Sequence, residues 1–88
     1  MKKFSIGEKV FVEMQGEKMY RRKFGKVVAV VPPRKFPDLG IYPQLNSTVR
    51  PADMRNHESY LVEVEDQASA QGRKILWPRV SALIPSRP

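Results

Sequence analysis

Hydrophobic and polar residues alternate along short segments of this chain, and no segment of ten or more residues has the period of a helix. Alternation with a period of two is typical of a half-buried β-strand. Residues 9–14 and 59–65 show it most clearly. Residues 25–31, 73–77 and 83–84 predict three further strands, each followed by a proline.

Residues 32–58 interrupt this pattern between the second and third strands, and they are called the insertion below. They hold five of the eight prolines and have no sustained period. A long loop between well-marked strands is typically functional or mobile. Apolar residues predict that it folds back on the sheet: Phe36, Leu39, Ile41, Tyr42 and Leu45.

With 88 residues the chain predicts one domain, 1–88, with one small core. The expected fold is all-β, a small five-stranded SH3-like barrel with a long proline-rich insertion and a 3₁₀ turn over residues 79–82, before the last strand. Closing the sheet would remove its exposed edges. The predicted core consists of Val10, Val12, Val28, Val30, Tyr60, Val62, Val64, Leu76 and Leu83.

Composition narrows the class of protein further. The chain has no cysteine, which excludes disulfides and thiolate metal sites. The residues after Met1 supply no apolar signal segment, and the longest apolar run, 27–33, is far shorter than a membrane span. We expect a cytoplasmic protein with no membrane partner.

The net charge of +7 is concentrated in residues 1–31, which hold eight basic and three acidic residues. Residues 19–24 interleave aromatic and cationic side chains, a combination typical of single-stranded nucleic-acid binding. The candidate binding residues here are Tyr20, Arg21, Arg22, Lys23 and Lys26. The alternative is a hairpin loop in which Tyr20 or Phe24 packs inward and the cations are solvated.

The only tryptophan, Trp77, lies among the cations Arg73, Lys74 and Arg79, which complete the candidate binding residues. If Leu76 points into the barrel, alternation turns Lys74 inward and Trp77 outward. An outward Trp77 either contacts a partner or is covered by Phe36 or Tyr42 of the insertion. The sequence leaves both alternatives open.

Catalytic residue patterns are lacking. His57 is the only histidine, and Ser59 nearby has no third group to complete a triad. The acids are dispersed, and the five glycines form no phosphate-binding loop. These observations predict no metal, no cofactor and no catalysis by the chain alone.

Two sets of motifs resemble type II dihydrofolate reductase, the plasmid-borne bacterial kind. They are Phe4-x-Ile6-Gly7-Glu8-Lys9-Val10, Gly25-Lys26-Val27-Val28 and Tyr60-x-Val62-Glu63-x-Glu65 in the strands, and Gly72-x-x-x-Leu76-Trp77-Pro78 with Ala82-Leu83 near the end. The resemblance implies an SH3-like homotetramer with a central pore. The Gln-Ile-Tyr triplet that floors that pore is replaced here by Ile75, Leu76 and Trp77, so the reductase's functional residues are not retained.

A second resemblance is to the C-terminal barrel of the nitrile hydratase β subunit. It rests on Tyr20-x-Arg22-Lys23-x-Gly25-x-Val27, on Phe36-Pro37-Asp38, and on Leu76-Trp77 with Leu83-x-Pro85. That barrel packs against a separate metal-bearing subunit, which implies a role in protein assembly.

Three hypotheses follow. The first is a non-enzymatic basic module that binds nucleic acid through a Trp/Arg/Lys surface. A protein partner, including self-association, is about equally favoured, and a ligand-binding or reductase-like enzyme is the third.

Overall fold

The protein folds as a five-stranded antiparallel sheet. The computed structural model describes residues 3–15, 20–45, 49, 53–67 and 71–86. The strands are β1 (Lys9–Gln15), β2 (Tyr20–Val31), β3 (Ser59–Glu65), β4 (Arg73–Leu76) and β5 (Leu83–Pro85). The 3₁₀ turns Pro43–Leu45 and Val80–Ala82 accompany them. No helix in the described part of the chain is long and apolar enough to cross a membrane.

The order of strands in the sheet is β4-β3-β2-β1-β5, so β5 returns to pair with β1. This order, with a 3₁₀ turn immediately before β5, confirms the predicted all-β, five-stranded arrangement and the placement of the insertion between β2 and β3. In the described residues β4 and β5 are the two edges of the sheet, and its closure into a barrel stays a prediction.

Strand boundaries agree with the sequence-based prediction to within one residue except at the start of β2. That strand was expected to begin at Gly25, but it begins at Tyr20 and runs for 12 residues. The five additional residues pair with β1 in register from Gln15↔Tyr20 to Phe11↔Phe24. The basic segment is therefore part of the sheet rather than a loop.

The main core lies on one face of the sheet. Six of the predicted core residues are buried there, namely Val10, Val12, Tyr60, Val62, Val64 and Leu83, and Phe4, Val27 and Val80 join them. The prediction that Val28, Val30 and Leu76 are fully buried was wrong, since these residues are only partly buried. Val30 and Leu76 pack at the edge of this cluster.

A β-bulge explains the difference at Val28. Val27 pairs with Val62, but the next pair is Ala29↔Leu61, so Val28 is an extra residue without a partner on β3. Because side chains alternate along a strand, one extra residue exchanges the faces of everything beyond it. Val27 therefore points into the main core, whereas Val31 points to the opposite face.

That opposite face carries a second apolar cluster, formed by buried Val31, Leu45 and Leu61. The half-buried residues that pack against it come from the sheet and from the insertion: Val28, Ala29, Leu39, Tyr42, Val49, Ile75 and Trp77. The insertion thus folds back on the sheet as its apolar residues predict. Ile41 is the exception, since 67% of it is exposed.

At Gly25 the backbone of β2 lies close against β3. A Cβ atom there would lie 2.7 Å from the Glu63 carbonyl oxygen and from Val62 Cγ1, and 2.8 Å from Val64 Cγ1. Two of these neighbours are core side chains and the third is backbone, so none can move aside easily. The position accepts only glycine without displacing β3.

We expect Gly25→Ala to lower the free energy of unfolding by about 1–3 kcal/mol, the usual cost of overpacking a core. Gly40→Ala is the matched control, because its Cβ would meet only the side-chain oxygen of Asp38, at 3.1 Å. Urea unfolding followed by circular dichroism measures both. Equal stability of the two variants would contradict the close approach at Gly25.

Tyr60 joins the segment before β1 to the core. Its hydroxyl accepts a hydrogen bond from the backbone N–H of Phe4 (3.2 Å) and donates one to Glu58 Oε1 (2.8 Å). The rings of Phe4 and Tyr60 also make an edge-to-face contact, with centroids 5.3 Å apart. Burial raises the pKa of Tyr60, and the hydrogen bond to Glu58 raises it further.

This shift predicts a loss of stability in alkali. Because the folded state keeps the hydroxyl protonated, its contribution is complete below the unfolded pKa of about 10 and decreases as the pH rises above that value. Unfolding measurements between about pH 9 and 11 should show a steeper decline for the wild type than for Tyr60→Phe. Parallel curves for the two proteins would overturn this assignment.

Candidate functional site

The outer face of β1 and β2, before the bulge, carries three cross-strand pairs in consecutive rows: Lys9↔Lys26, Phe11↔Phe24 and Glu13↔Arg22. Alternation places all six on the face opposite the main core, since Val10, Val12 and Val27 between them point inward. We call these six residues the aromatic–cation face. Lys9, Arg22, Phe24 and Lys26 are exposed.

An aromatic pair occupies the middle row. The rings of Phe11 and Phe24 meet edge to face, with centroids 5.4 Å apart and an interplanar angle of 67°. Phe24 remains 50% exposed even so. A phenylalanine held in place by a neighbouring ring and half open to solvent offers a flat apolar surface to a ligand.

Two like charges stand opposite each other in the next row. Lys9 and Lys26 are Cα partners, an arrangement that destabilises an antiparallel pair. On its other side Lys26 is opposite Glu63, but the carboxylate of Glu63 accepts a hydrogen bond from Arg73, at 3.2 Å. An anion placed over Lys9 and Lys26 would relieve their repulsion.

The third row carries an ion pair on the surface. Arg22 Nη2 lies 3.6 Å from Glu13 Oε1, and the Arg22 side chain is 51% exposed. Exposed pairs of this kind contribute only about 0–1 kcal/mol, so a stronger anion can compete for the guanidinium.

The structure divides the predicted basic cluster between the two faces of the sheet. Arg22 and Lys26 belong to the aromatic–cation face, whereas the half-buried Lys23 pairs with Val12 on the opposite face. Tyr20 and Arg21 are placed by their backbone in β2, and their side chains lie outside the described part of the structure. The cluster is therefore not one continuous surface.

Trp77, just beyond β4, is half-buried by the insertion. Its ring meets Phe36 edge to face, with centroids 6.3 Å apart, and the guanidinium carbon of Arg55 lies 4.0 Å from the ring centroid. The indole N–H donates to the buried Ser59 hydroxyl, at 2.8 Å. Of the two alternatives for Trp77, cover by the insertion is the one that these contacts describe.

Arg55 ties the end of the insertion to Trp77. It donates to the Trp77 carbonyl (3.1 Å) and to the Asp53 carbonyl (2.6 Å). Burial lowers the pKa of Arg55, the Asp53 charge raises it, and the Arg79 charge lowers it.

The backbone of Arg55 also links the two ends of the insertion. Its carbonyl oxygen accepts a hydrogen bond from the N–H of Arg34, whose φ of 61° lies in the left-handed region. The two ends of the insertion are thus joined.

The three cations beside Trp77 in the sequence have different surroundings in the structure. Lys74 pairs with Val64 on the core side of β4 and is half-buried, as alternation predicts. Arg73 is exposed and paired with Glu63, and Arg79 is exposed beside the 3₁₀ turn Val80–Ala82. A role for these residues and for Trp77 in binding a partner stays a prediction.

The sequence alone did not identify three residues of the sites described here, Lys9, Phe11 and Arg55. Lys9 and Phe11 alternate with the core valines of β1, and this pattern places them outward. Their pairing with Lys26 and Phe24 depends on the register of the hairpin, which the sequence does not display. Arg55 stacks on a ring 22 residues away, and no local pattern indicates this contact.

Within the described ranges, no three His, Asp or Glu side chains lie close enough together to hold a metal ion. No family model, curated protein or solved structure matches this chain. The resemblances to type II dihydrofolate reductase and to the nitrile hydratase β-subunit barrel remain predictions.

We expect Arg55→Ala to uncover the Trp77 ring. The variant loses a cation–π contact and two hydrogen bonds from a charged donor, so unfolding should become easier by about 1–3 kcal/mol. Trp77 emission should shift to longer wavelength, and acrylamide should quench it more readily. Arg73→Ala removes the same charge from an exposed position and should change neither signal. Unaltered quenching in Arg55→Ala would contradict the stacked geometry.

Proposed function

We propose that this protein is a non-enzymatic module that binds single-stranded nucleic acid on the aromatic–cation face. The observation that carries the proposal is the half-exposed Phe24 ring, fixed against Phe11 and flanked by Lys26 on one side and Arg22 on the other. Proteins that bind single strands without sequence preference combine aromatic stacking platforms with a cationic path for the backbone.

Stacking would be the role of Phe24. A base presents its flat face only when it is unstacked, which a single strand permits and a duplex does not. The ring of Phe24 is pinned edge-on by Phe11, so little side-chain freedom is lost when a base covers it. The proposal therefore assigns the aromatic contact to Phe24 instead of Trp77, whose ring is covered by Phe36 and Arg55.

Backbone contacts would fall to the cations in the neighbouring rows. Adjacent residues on one face of a strand are separated by about 6.6 Å along it, two steps of the strand rise. This is close to the spacing of phosphates in an extended strand, so Lys26 and Arg22 lie one row to either side of a base on Phe24. Phosphate would also relieve the repulsion between Lys9 and Lys26.

The net charge of the chain favours the same class of ligand. At +7 the protein attracts polyanions over a distance, and eight of the 16 basic residues lie in residues 1–31, which include β1 and β2. Attraction of this kind speeds association and is weakened by salt. The proposed site thus lies in the most basic third of the sequence.

Binding of a fluorescently labelled oligothymidine, followed by anisotropy at several salt concentrations, tests the proposal. Phe24→Ala should weaken binding by about 1–3 kcal/mol, the usual contribution of one stacked base. Lys26→Ala should weaken it and reduce the slope of log K against log salt by about one, because one phosphate contact is lost. A duplex of the same length should bind more weakly than the single strand.

Lys35→Ala is the charge-matched control, since Lys35 is an exposed lysine of the insertion. Its effect should be small beside that of Lys26→Ala. Thermal unfolding of each variant would show that the fold is kept, as expected for exposed positions. If Lys26→Ala and Lys35→Ala bind alike and Phe24→Ala binds as the wild type does, the aromatic–cation face is not the site.

The same experiment separates nucleic-acid binding from protein assembly, the other partner class that the sequence favours. An assembly face would bury Phe24 against a second chain and would depend little on salt. No oligonucleotide binding, together with a defined oligomer in light scattering that dissociates on Phe24→Ala, would replace the nucleic-acid proposal by self-association.

A further inference from the structure

A second cationic feature lies away from the aromatic–cation face. Residues 53–57, at the end of the insertion, and residues 79–81, at the 3₁₀ turn Val80–Ala82, line a groove of about 450 Å³. Its lining includes the side chains of Arg55, His57 and Arg79. Among the described residues of the lining, Asp53 is the only acidic one.

Arg55 lines this groove and is anchored against Trp77, which is not part of the lining. Its guanidinium stacks on Trp77 at 4.0 Å, and two of its N–H groups are fixed by the carbonyl oxygens of Asp53 and Trp77. A guanidinium has five N–H donors, so three of them have no hydrogen-bond partner among the described residues. An arginine that is positioned before binding loses little conformational entropy when it binds.

Arg79 adds a second guanidinium to the same space. It is exposed, and among the described residues no ion pair or hydrogen bond engages its side chain. Its charge lies close enough to Arg55 to lower the pKa of that residue. Two like charges facing one groove are unfavourable in the free protein, and a bound anion would stabilise both.

Neutral donors complete the lining. Asn56 and Ser81 also line the groove, and the amide of the first and the hydroxyl of the second can each donate to an oxygen. Donors from four different side chains suit a tetrahedral group with three terminal oxygens better than a flat carboxylate with two. The arginine forks themselves match phosphate geometry.

We propose that the groove between residues 53–57 and residues 79–81 binds a phosphate group, with Arg55 and Arg79 as its two cationic contacts. The group is either free phosphate or the terminal phosphate of a larger molecule. This site shares no residue with the aromatic–cation face, so it stands or falls independently of the proposed function.

Titration of the protein with sodium phosphate, followed by the fluorescence of Trp77, tests the site, since the ring lies against Arg55. Sodium chloride at matched ionic strength is the reference. The wild type should give a saturable change with a dissociation constant below about 10 mM, equivalent to a few kcal/mol of binding free energy. Signals that do not saturate, or that chloride reproduces, would overturn the proposal.

Arg79→Ala is the diagnostic variant, because an exposed side chain can be removed without disturbing the fold. It should weaken phosphate binding about tenfold or more, through the loss of a charge-assisted contact. Arg73→Ala, an equal loss of charge outside the groove, should bind phosphate as the wild type does. Equal weakening in both variants would show a general effect of net charge and would contradict the assignment of this groove as the phosphate site.

Three further ligands identify the source of the phosphate. A 5′-phosphorylated dinucleotide that binds more tightly than both inorganic phosphate and its unphosphorylated form would point to the end of a nucleic-acid strand. Inorganic phosphate that binds at least as well would point to free phosphate, and both results support the site. Acetate that binds as tightly as phosphate would contradict it.

Discussion

The bulge at Val28 is the constraint on which the arrangement of this molecule depends. It lets one strand, β2, contribute Val27 to the main core and Val31 to the second apolar cluster on the opposite face. Beyond the bulge the outer face is apolar and needs a cover, which the insertion supplies. Before the bulge the same face carries Phe24 and charged residues and stays open to solvent. One extra residue therefore separates the covered half of the sheet from the half available to a ligand.

A few contacts hold the insertion against the sheet. Leu45 is buried in the second cluster, and Arg55 connects the end of the insertion both to Trp77 and, through its carbonyl, to Arg34 at the start. The insertion thus packs against Trp77. Arg73, Lys74 and Arg79 are near Trp77 in the sequence but have different neighbours in the structure. Strand alternation separates Arg73 from Lys74, and Arg79 lies beside the 3₁₀ turn Val80–Ala82.

What the sequence predicts well is what local patterns determine. The alternation of Tyr60, Val62 and Val64 identifies β3 and its buried face, and the prolines mark where strands stop. The register between β1 and β2, which brings Phe11 beside Phe24, depends on how the hairpin closes. The stacking of Arg55 on a ring 22 residues away depends on the path of the whole insertion. Such contacts are tertiary, so no short window of sequence reveals them.

Lys9 and Lys26 are opposite each other on neighbouring strands, and their repulsion lowers the stability of the folded state. The proposed nucleic-acid site, in contrast, depends on these charges. A neutral residue at either position would relieve the repulsion and favour the folded state, yet it would weaken any anion site there. Selection for stability alone would remove this pair, since proteins gain stability readily where function does not oppose it. A more stable version of this domain could therefore be made by neutralising one of the two lysines, and the proposed nucleic-acid site would then lose a cationic contact.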